Sequence, residues 1–209
     1  MVTISPLAIA TTVHVPVPLY TSIPVGRMTD DAGESYAIVL GLSKDVIEQL
    51  REKSVDTSDE ALQKNTSDFE RFGKEGAYEE WYTKERTPFV LLSKDSSLAA
   101  LAWFGPKAIG RKSLRHLSGE ELKEEYKQDE KEWHTIVYRS YNPFRGRRLM
   151  TPFVQFALDT YRSFYPDAKI WAGISLDNAA SIALAHKLGF KEDKAYTDVA
   201  KNWTAMILN

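Results

Sequence analysis

The sequence predicts an α/β (α+β) fold, and three observations predict it. Apolar runs of strand length stand at residues 36–42, 89–92, 98–104, 133–141, 169–174 and 203–208. A polar turn of hairpin length, Lys94-Asp95-Ser96, joins two of them. Between residues 148 and 165, Leu149, Phe153, Phe156, Thr160 and Phe164 recur at steps of three and four, the period of a helix with one face in a core.

Taken in order, residues 1–33 alternate apolar and small side chains and carry Pro6, Pro16, Pro18 and Pro24, which suits an edge strand plus irregular chain better than a helix. The run 36–42 reads as a strand, after which Ser43 can cap a helix containing Val46, Ile47 and Leu50. Thr57 with Glu60 and Ser67 with Glu70 have the spacing of capping boxes, so the chain to residue 85 is expected to be mostly helical. The hairpin follows. Residues 111–132 are highly charged, and Ser118 with Glu121 predicts a short exposed helix there, of a length and polarity that suit a lid.

The strand at 133–141 should end at Asn142-Pro143. In the long helix that comes next, Gln155, Asp159 and Arg162 form the polar stripe, Pro152 falls in the first turn, and Pro166 follows the end. Asp177-Asn178 offers an N-cap for a helix carrying Ile182, Ala185 and Leu188, and Gly189 stands where a left-handed cap belongs. The second half therefore reads β-α-β-α-β-β.

Composition excludes several classes of function. A hydrophobic share of 43% and a charged share of 27% fit neither a disordered chain nor a fibre. With 27 Lys and Arg against 29 Asp and Glu, the formal charge of −2 gives no global field for nucleic acid, so anion binding must be local. The chain shows no apolar run of membrane-spanning length, and its first residues lack the basic start of a secretory signal, which points to the cytoplasm. Without cysteine there is no disulfide, thiolate metal site or enzyme-bound thioester, and His14, His116, His134 and His186 lack metal-ligand spacing. No metal is expected.

The chemistry concentrates at Tyr141-Asn142-Pro143-Phe144-Arg145-Gly146-Arg147-Arg148-Leu149, where a strand passes through a basic turn into a helix. The first amides of a helix have no internal partners and sit at the positive end of its dipole, so the junction suits a pyrophosphate. A solvated basic turn is the simpler alternative. The turn, the long helix, a strand and then Asn178-x-x-Ser181-Ile182-x-Leu184-x-x-Lys187-Leu188-Gly189-Phe190 together resemble the paired motifs of the GNAT acyltransferases.

That resemblance covers residues 89–208 and, by element order only, the N-terminal third. It implies one domain over 1–209, with 1–35 as an N-terminal extension, and a mixed, mostly antiparallel central sheet with helices on both faces. It implies acetyl-CoA or another acyl-CoA as co-substrate and a primary amine of a small molecule or protein as acceptor, with direct attack in a ternary complex. A homodimer stays open. Arg145, Gly146, Arg147, Arg148 and Leu149 match the pyrophosphate turn, the backbone of Val137, Tyr138 and Arg139 matches the pantetheine-binding strand, and Asn178 and Ser181 match the helix beside the acyl end.

Family members commonly find a general base on or near the strand before the turn, and here Glu132 and His134 stand there, sharing strand parity with Ile136 and Tyr138. Asn178 is equally a plain N-cap. Trp81, Tyr82, Trp103 and Trp133 suit either an acceptor pocket or the core. The chain departs from the pattern at Arg148, where Gly or Ala is usual, and at Ala185, which takes the place of the family's frequent Tyr acid. The second departure favours an alternative, a non-catalytic acyl-CoA-binding regulatory domain. Neither a Walker A nor a dinucleotide-binding glycine pattern is present.

Overall fold

The structure is a computed structural model that describes residues 2–9, 13–111 and 132–208. Nine strands form one sheet in the order β1-β2-β3-β4-β5-β6-β7-β9-β8. They are β1 Thr3–Pro6, β2 Ser22–Thr29, β3 Ser35–Gly41, β4 Thr87–Ser93, β5 Leu98–Pro106, β6 Trp133–Ser140, β7 Lys169–Ser175, β8 Phe190–Asp198 and β9 Trp203–Leu208. Every pairing is antiparallel except β6 with β7. This is the mixed, mostly antiparallel sheet the sequence implies.

The N-terminal third holds more structure than its prolines suggest. β1 is the edge strand, and residues 22–29 form a second strand beside it. Pro24 is tolerated there because the β2–β3 register shifts between Pro24 and Gly26, a bulge at which a missing amide costs little.

One face of the sheet is covered by α1 Lys44–Val55, α2 Glu60–Asn65, a π-helical turn at Phe69–Gly73, and α3 Ala77–Tyr82. Ser43 caps α1 by accepting from the Val46 amide at 3.4 Å. The α2 cap is Asp59, not Thr57: Asp59 Oδ1 accepts from the Leu62 amide at 3.0 Å. The Ser67–Glu70 box forms no cap either, because Asp68 precedes the π-helical turn and its carboxylate is turned inward to two arginines. The helix expected around Ser118 lies outside the described residues.

The opposite face is covered by α4 Met150–Phe164, whose Phe153, Val154, Ala157, Leu158 and Tyr161 are buried, and by α5 Ala179–Lys187. Each large side chain so buried contributes about 1.5–3 kcal/mol. Asn178 Oδ1 caps α5 by accepting from the Ser181 amide at 3.1 Å, and Gly189 closes it at φ +89°. No described helix is long and apolar enough to cross a membrane.

Candidate functional site

β6 and β7 are parallel partners only at Trp133–Lys169, His134–Ile170 and Thr135–Trp171. Beyond Thr135 they part. Each keeps its far edge paired, β6 with β5 as far as Ser140 and β7 with β9 as far as Ser175, so the sheet survives the split. The facing edges from Ile136 and Ala172 onward turn strand backbone toward a cleft of about 610 Å³. Such amides and carbonyls need partners.

The cleft passes through the sheet. On the α4 side it is lined by Met150, Thr151, Ser181, Leu184 and Lys187, and on the α1 side by Leu62, Asn65, Ser67, Arg71 and Trp103. Its described lining holds seven Lys or Arg (Arg71, Lys107, Arg111, Arg139, Arg145, Arg148, Lys187) and no Asp, Glu or His. Three of the seven are ion-paired behind the lining, Arg145 with Asp59 and Arg71 and Arg139 with Asp68, so the basic character of the cleft rests on the others.

Of the turn residues, Arg145, Gly146 and Arg148 line the cleft, whereas Arg147 and Leu149 do not. The three guanidiniums do different things. Arg145 donates from Nε to Ser140 O at 2.9 Å and from Nη1 to Asp59 Oδ1 at 2.6 Å, tying the turn to the start of α2. Arg147 points away, donating to Asp30 Oδ2 at 2.6 Å and lying over the Tyr36 and Phe144 rings. Burial pushes the Asp30 carboxyl up, but the Glu34 and Ala32 amides, the Tyr36 hydroxyl and Arg147 outweigh it and hold it below the usual range. Arg148 is exposed at the mouth and, among the described residues, has no acidic partner.

The backbone explains the departure at Arg148. Its φ is +61°, the left-handed conformation for which glycine is the unstrained choice, and Gly146 has φ +78°. A Cβ on Gly146 would meet nothing within 4 Å, so its conformation, not crowding, calls for glycine. The turn delivers the chain to α4, whose N-cap Leu149 makes no side-chain cap and whose Pro152 has no amide to satisfy. The Leu149, Met150 and Thr151 amides have no acceptor within the helix.

Val137, Tyr138 and Arg139 lie on the splayed part of β6, and Asn178 and Ser181 line the cleft from α5. Tyr138 spans the gap, donating its hydroxyl to Ser181 O at 3.0 Å, one turn before Ala185. Burial raises this phenol to about 12. Ala185 is wholly buried and His186 is exposed.

Glu132 and His134 lie elsewhere. Glu132 is exposed and paired with Lys169. His134 is 4% exposed, with Nδ1 2.6 Å from the Tyr161 hydroxyl, because its strand parity turns it under α4 where β6 and β7 are still paired. Neither lines the cleft. Of the aromatics considered, Trp103 lines it; Trp81 packs into the core, Tyr82 bonds the Val17 carbonyl, and Trp133 lies against Trp171 and Trp203.

Ser67, Arg71 and Lys107 were not legible as site residues, since the first two come from a face with no acyl-CoA motif and Lys107 is a single cation; Lys187 stands in the α5 motif and lines the cleft. Ser67 and Asp68 are deeply buried at 2% exposure, in a stretch that reads as a helix start.

A sheet of this order, split between its two parallel strands with a basic turn and helix start at the opening, is the GNAT fold. Among solved structures the chain is similar to the GNAT domain of S. lividans PAT (11% identity, covering 87% of this chain and 94% of that one, TM-score 0.58). It is also similar to the ribosomal L7/L12 α-N-protein acetyltransferase RimL in complex with coenzyme A (15%, 82% and 94%, 0.54). A third is the spermidine N-acetyltransferase of Vibrio cholerae in complex with CoA and spermine (14%, 81% and 92%, 0.53). No protein-family model matches the chain, and no curated protein matches it significantly.

Proposed function

We propose that the chain is an acetyl-CoA-dependent N-acetyltransferase that acetylates a primary amine by direct attack in a ternary complex. The observation that carries this reading is the cationic cleft opening where β6 parts from β7, with the start of α4 and Arg148 at its mouth. Solved structures of the same fold include acetyltransferases in complex with CoA.

The residues fit the co-substrate. The Met150 and Thr151 amides and the Arg148 guanidinium, all in residues that line the cleft, suit a pyrophosphate. The backbone of Val137, Tyr138 and Arg139 offers a free strand edge to the amides of a pantetheine arm, which can add to it as a strand would. Asn178 and Ser181 border the thioester end. Acetyl-CoA supplies an activated acyl carbon and a thiolate leaving group.

In the transfer, the amine nitrogen bonds to the acyl carbon, the carbon–sulfur bond breaks, and the proton lost by the nitrogen balances the one gained by sulfur. No carboxylate or imidazole among the described residues lines the cleft, so the amine must arrive neutral. The surrounding guanidinium and ammonium groups favour that, since like charge lowers an amine's pKa. Tyr138 is our candidate for the proton donor to sulfur: it reaches α5 beside the site where Ala185 leaves no hydroxyl, and it is protonated at neutral pH.

The lack of a lining base among the described residues, together with Ala185, favours the second reading, an acyl-CoA-binding regulatory domain without turnover. Thiol release from acetyl-CoA against a panel of amines separates the two. Amine-dependent release supports a transferase; saturable binding without release from any amine supports the regulatory domain.

A further inference from the structure

The two arms of the split are tied together on the side away from α4. There α2 lines the cleft with Ala61, Leu62 and Asn65. At its start Asp59 Oδ1 holds Arg145 Nη1, in the turn after β6, at 2.6 Å. Near its end Lys64 Nζ lies 2.7 Å from Asp177 Oδ2, in the loop between β7 and α5. A six-residue helix thus reaches from one arm to the other where β6 and β7 have parted.

The two attachments are unequal. Six residues are too few to hold a helix by themselves, so contacts with the rest of the molecule must hold α2. At the β6 end these are several. The Asp59 side chain is 10% exposed and also caps the helix, and Gln63 Nε2 donates to Ser54 O and Asp56 O, both at 3.0 Å. Leu62, the one buried residue of α2, packs into the core between the sheet and α1. At the β7 end the Lys64 and Asp177 side chains are 65% and 41% exposed, so water and salt weaken their attraction. The tie to the β7 arm is the one that opens first, and it stands beside Asn178, which lines the cleft.

We infer that α2 is a gate over the acceptor's entrance, hinged at the Asp59–Arg145 end and latched by Lys64 and Asp177. Its place in the reaction rests on the transferase reading. The co-substrate's pyrophosphate takes the α4 side, at Arg148, Met150 and Thr151, which leaves the side under α2 to the amine. The latch itself requires no co-substrate.

The chain has no cysteine, so labels and cross-links go only where they are placed. Spin labels on Glu60→Cys and Val199→Cys, both exposed, report the gap between α2 and the β8–β9 turn. That turn belongs to the β7 arm, since the Leu176 amide donates to Asn202 O beside Asp177. Adding Lys64→Glu should lengthen and broaden the distance distribution, and adding Asp177→Lys to that should restore it.

A second protein carries Lys64→Cys and Asp177→Cys, joined by a short bismethanethiosulfonate and released by reductant. Acetyl transfer to benzylamine, glycine, spermidine and a tetrapeptide with a free N-terminus is followed by loss of thioester absorbance. With the best of these amines the joined form should lose about tenfold in kcat/KM and recover it on reduction, with acetyl-CoA affinity unchanged. Identical distance distributions in all three labelled proteins overturn the latch. Undiminished turnover in the joined form, or loss of its acetyl-CoA affinity, overturns the gate on the acceptor. If the reduced form acetylates none of the amines the transferase reading falls, and the distances still decide whether the latch opens.

Discussion

If the turn after β6 is a pyrophosphate site, its three arginines must separate into one that binds and two that build. Replacing Arg148 by Gly removes the exposed guanidinium at the cleft mouth and relieves a left-handed φ of +61°. That relief, roughly 1–2 kcal/mol, is offset by the roughly 0.5–1 kcal/mol that glycine's extra freedom costs on folding, so stability should be unchanged or rise by up to about 1.5 kcal/mol. A charge-assisted contact to phosphate is worth about 1.5–3 kcal/mol when sheltered, and solvent screening brings an exposed one to the low end. Acetyl-CoA affinity should therefore fall about tenfold.

Arg147→Ala should do the opposite. Asp30 is 3% exposed as a side chain and would lose its guanidinium while keeping the Ala32 and Glu34 amides and the Tyr36 hydroxyl. The expected loss is about 1–2 kcal/mol, or roughly 3–6 °C in Tm, with affinity unchanged. Calorimetric titration with acetyl-CoA and a thermal melt on both variants supply the two numbers. Equal loss of affinity in both, or none in Arg148→Gly, would refute this division of labour.

Other predictions follow from the same geometry. Tyr138→Phe should lower kcat about a hundredfold with little change in KM, in steady-state assays with the best amine found. Because Tyr138 stays protonated up to about 12, the rate should climb with pH as the acceptor amine deprotonates and show no falling limb below about pH 10. Glu132→Gln and His134→Asn should keep at least a third of wild-type kcat/KM, since neither side chain lines the cleft. Asp30 has a depressed carboxyl pKa, so its contribution is present above the unfolded value of about 3.9 and is lost as pH falls through the folded one; Asp30→Asn should flatten the acid limb of a stability–pH curve below about pH 4. Phe153→Ala, emptying a fully buried site under α4, should cost about 3–5 kcal/mol in denaturant unfolding.

The second half of the fold was legible because period and punctuation agree there. Strand, Asn142-Pro143, basic turn and apolar 3–4 repeat each constrain the next, and Asn178 and Gly189 close α5 by the mechanisms their residue types suggest. The first half was harder to read. Pro24 disguised β2 because a bulge that absorbs a proline has no local signature, and two capping boxes misled because Asp59, two residues after Thr57, is the side chain that caps α2, and because Asp68, next to Ser67, is turned inward to arginine.

In the site, the turn was legible but the direction of its side chains was not. R-G-R-R states three charges; only the fold reveals that Asp59 and Asp30, distant in sequence, take two of them. The same limit put His134 on the right strand yet under α4 against Tyr161, and it hid Ser67 and Arg71, which reach the cleft from an element with no motif.

The central claim is that the split between β6 and β7 holds an acyl-CoA with its pyrophosphate at the start of α4. Calorimetric titration of the intact chain with acetyl-CoA tests it most directly, with Arg148→Glu as the paired sample. We expect one site of micromolar order whose affinity drops at least tenfold in the variant while the melting curve barely moves. Absence of binding by the wild-type chain, or equal affinity in both samples, would contradict the assignment of the cleft.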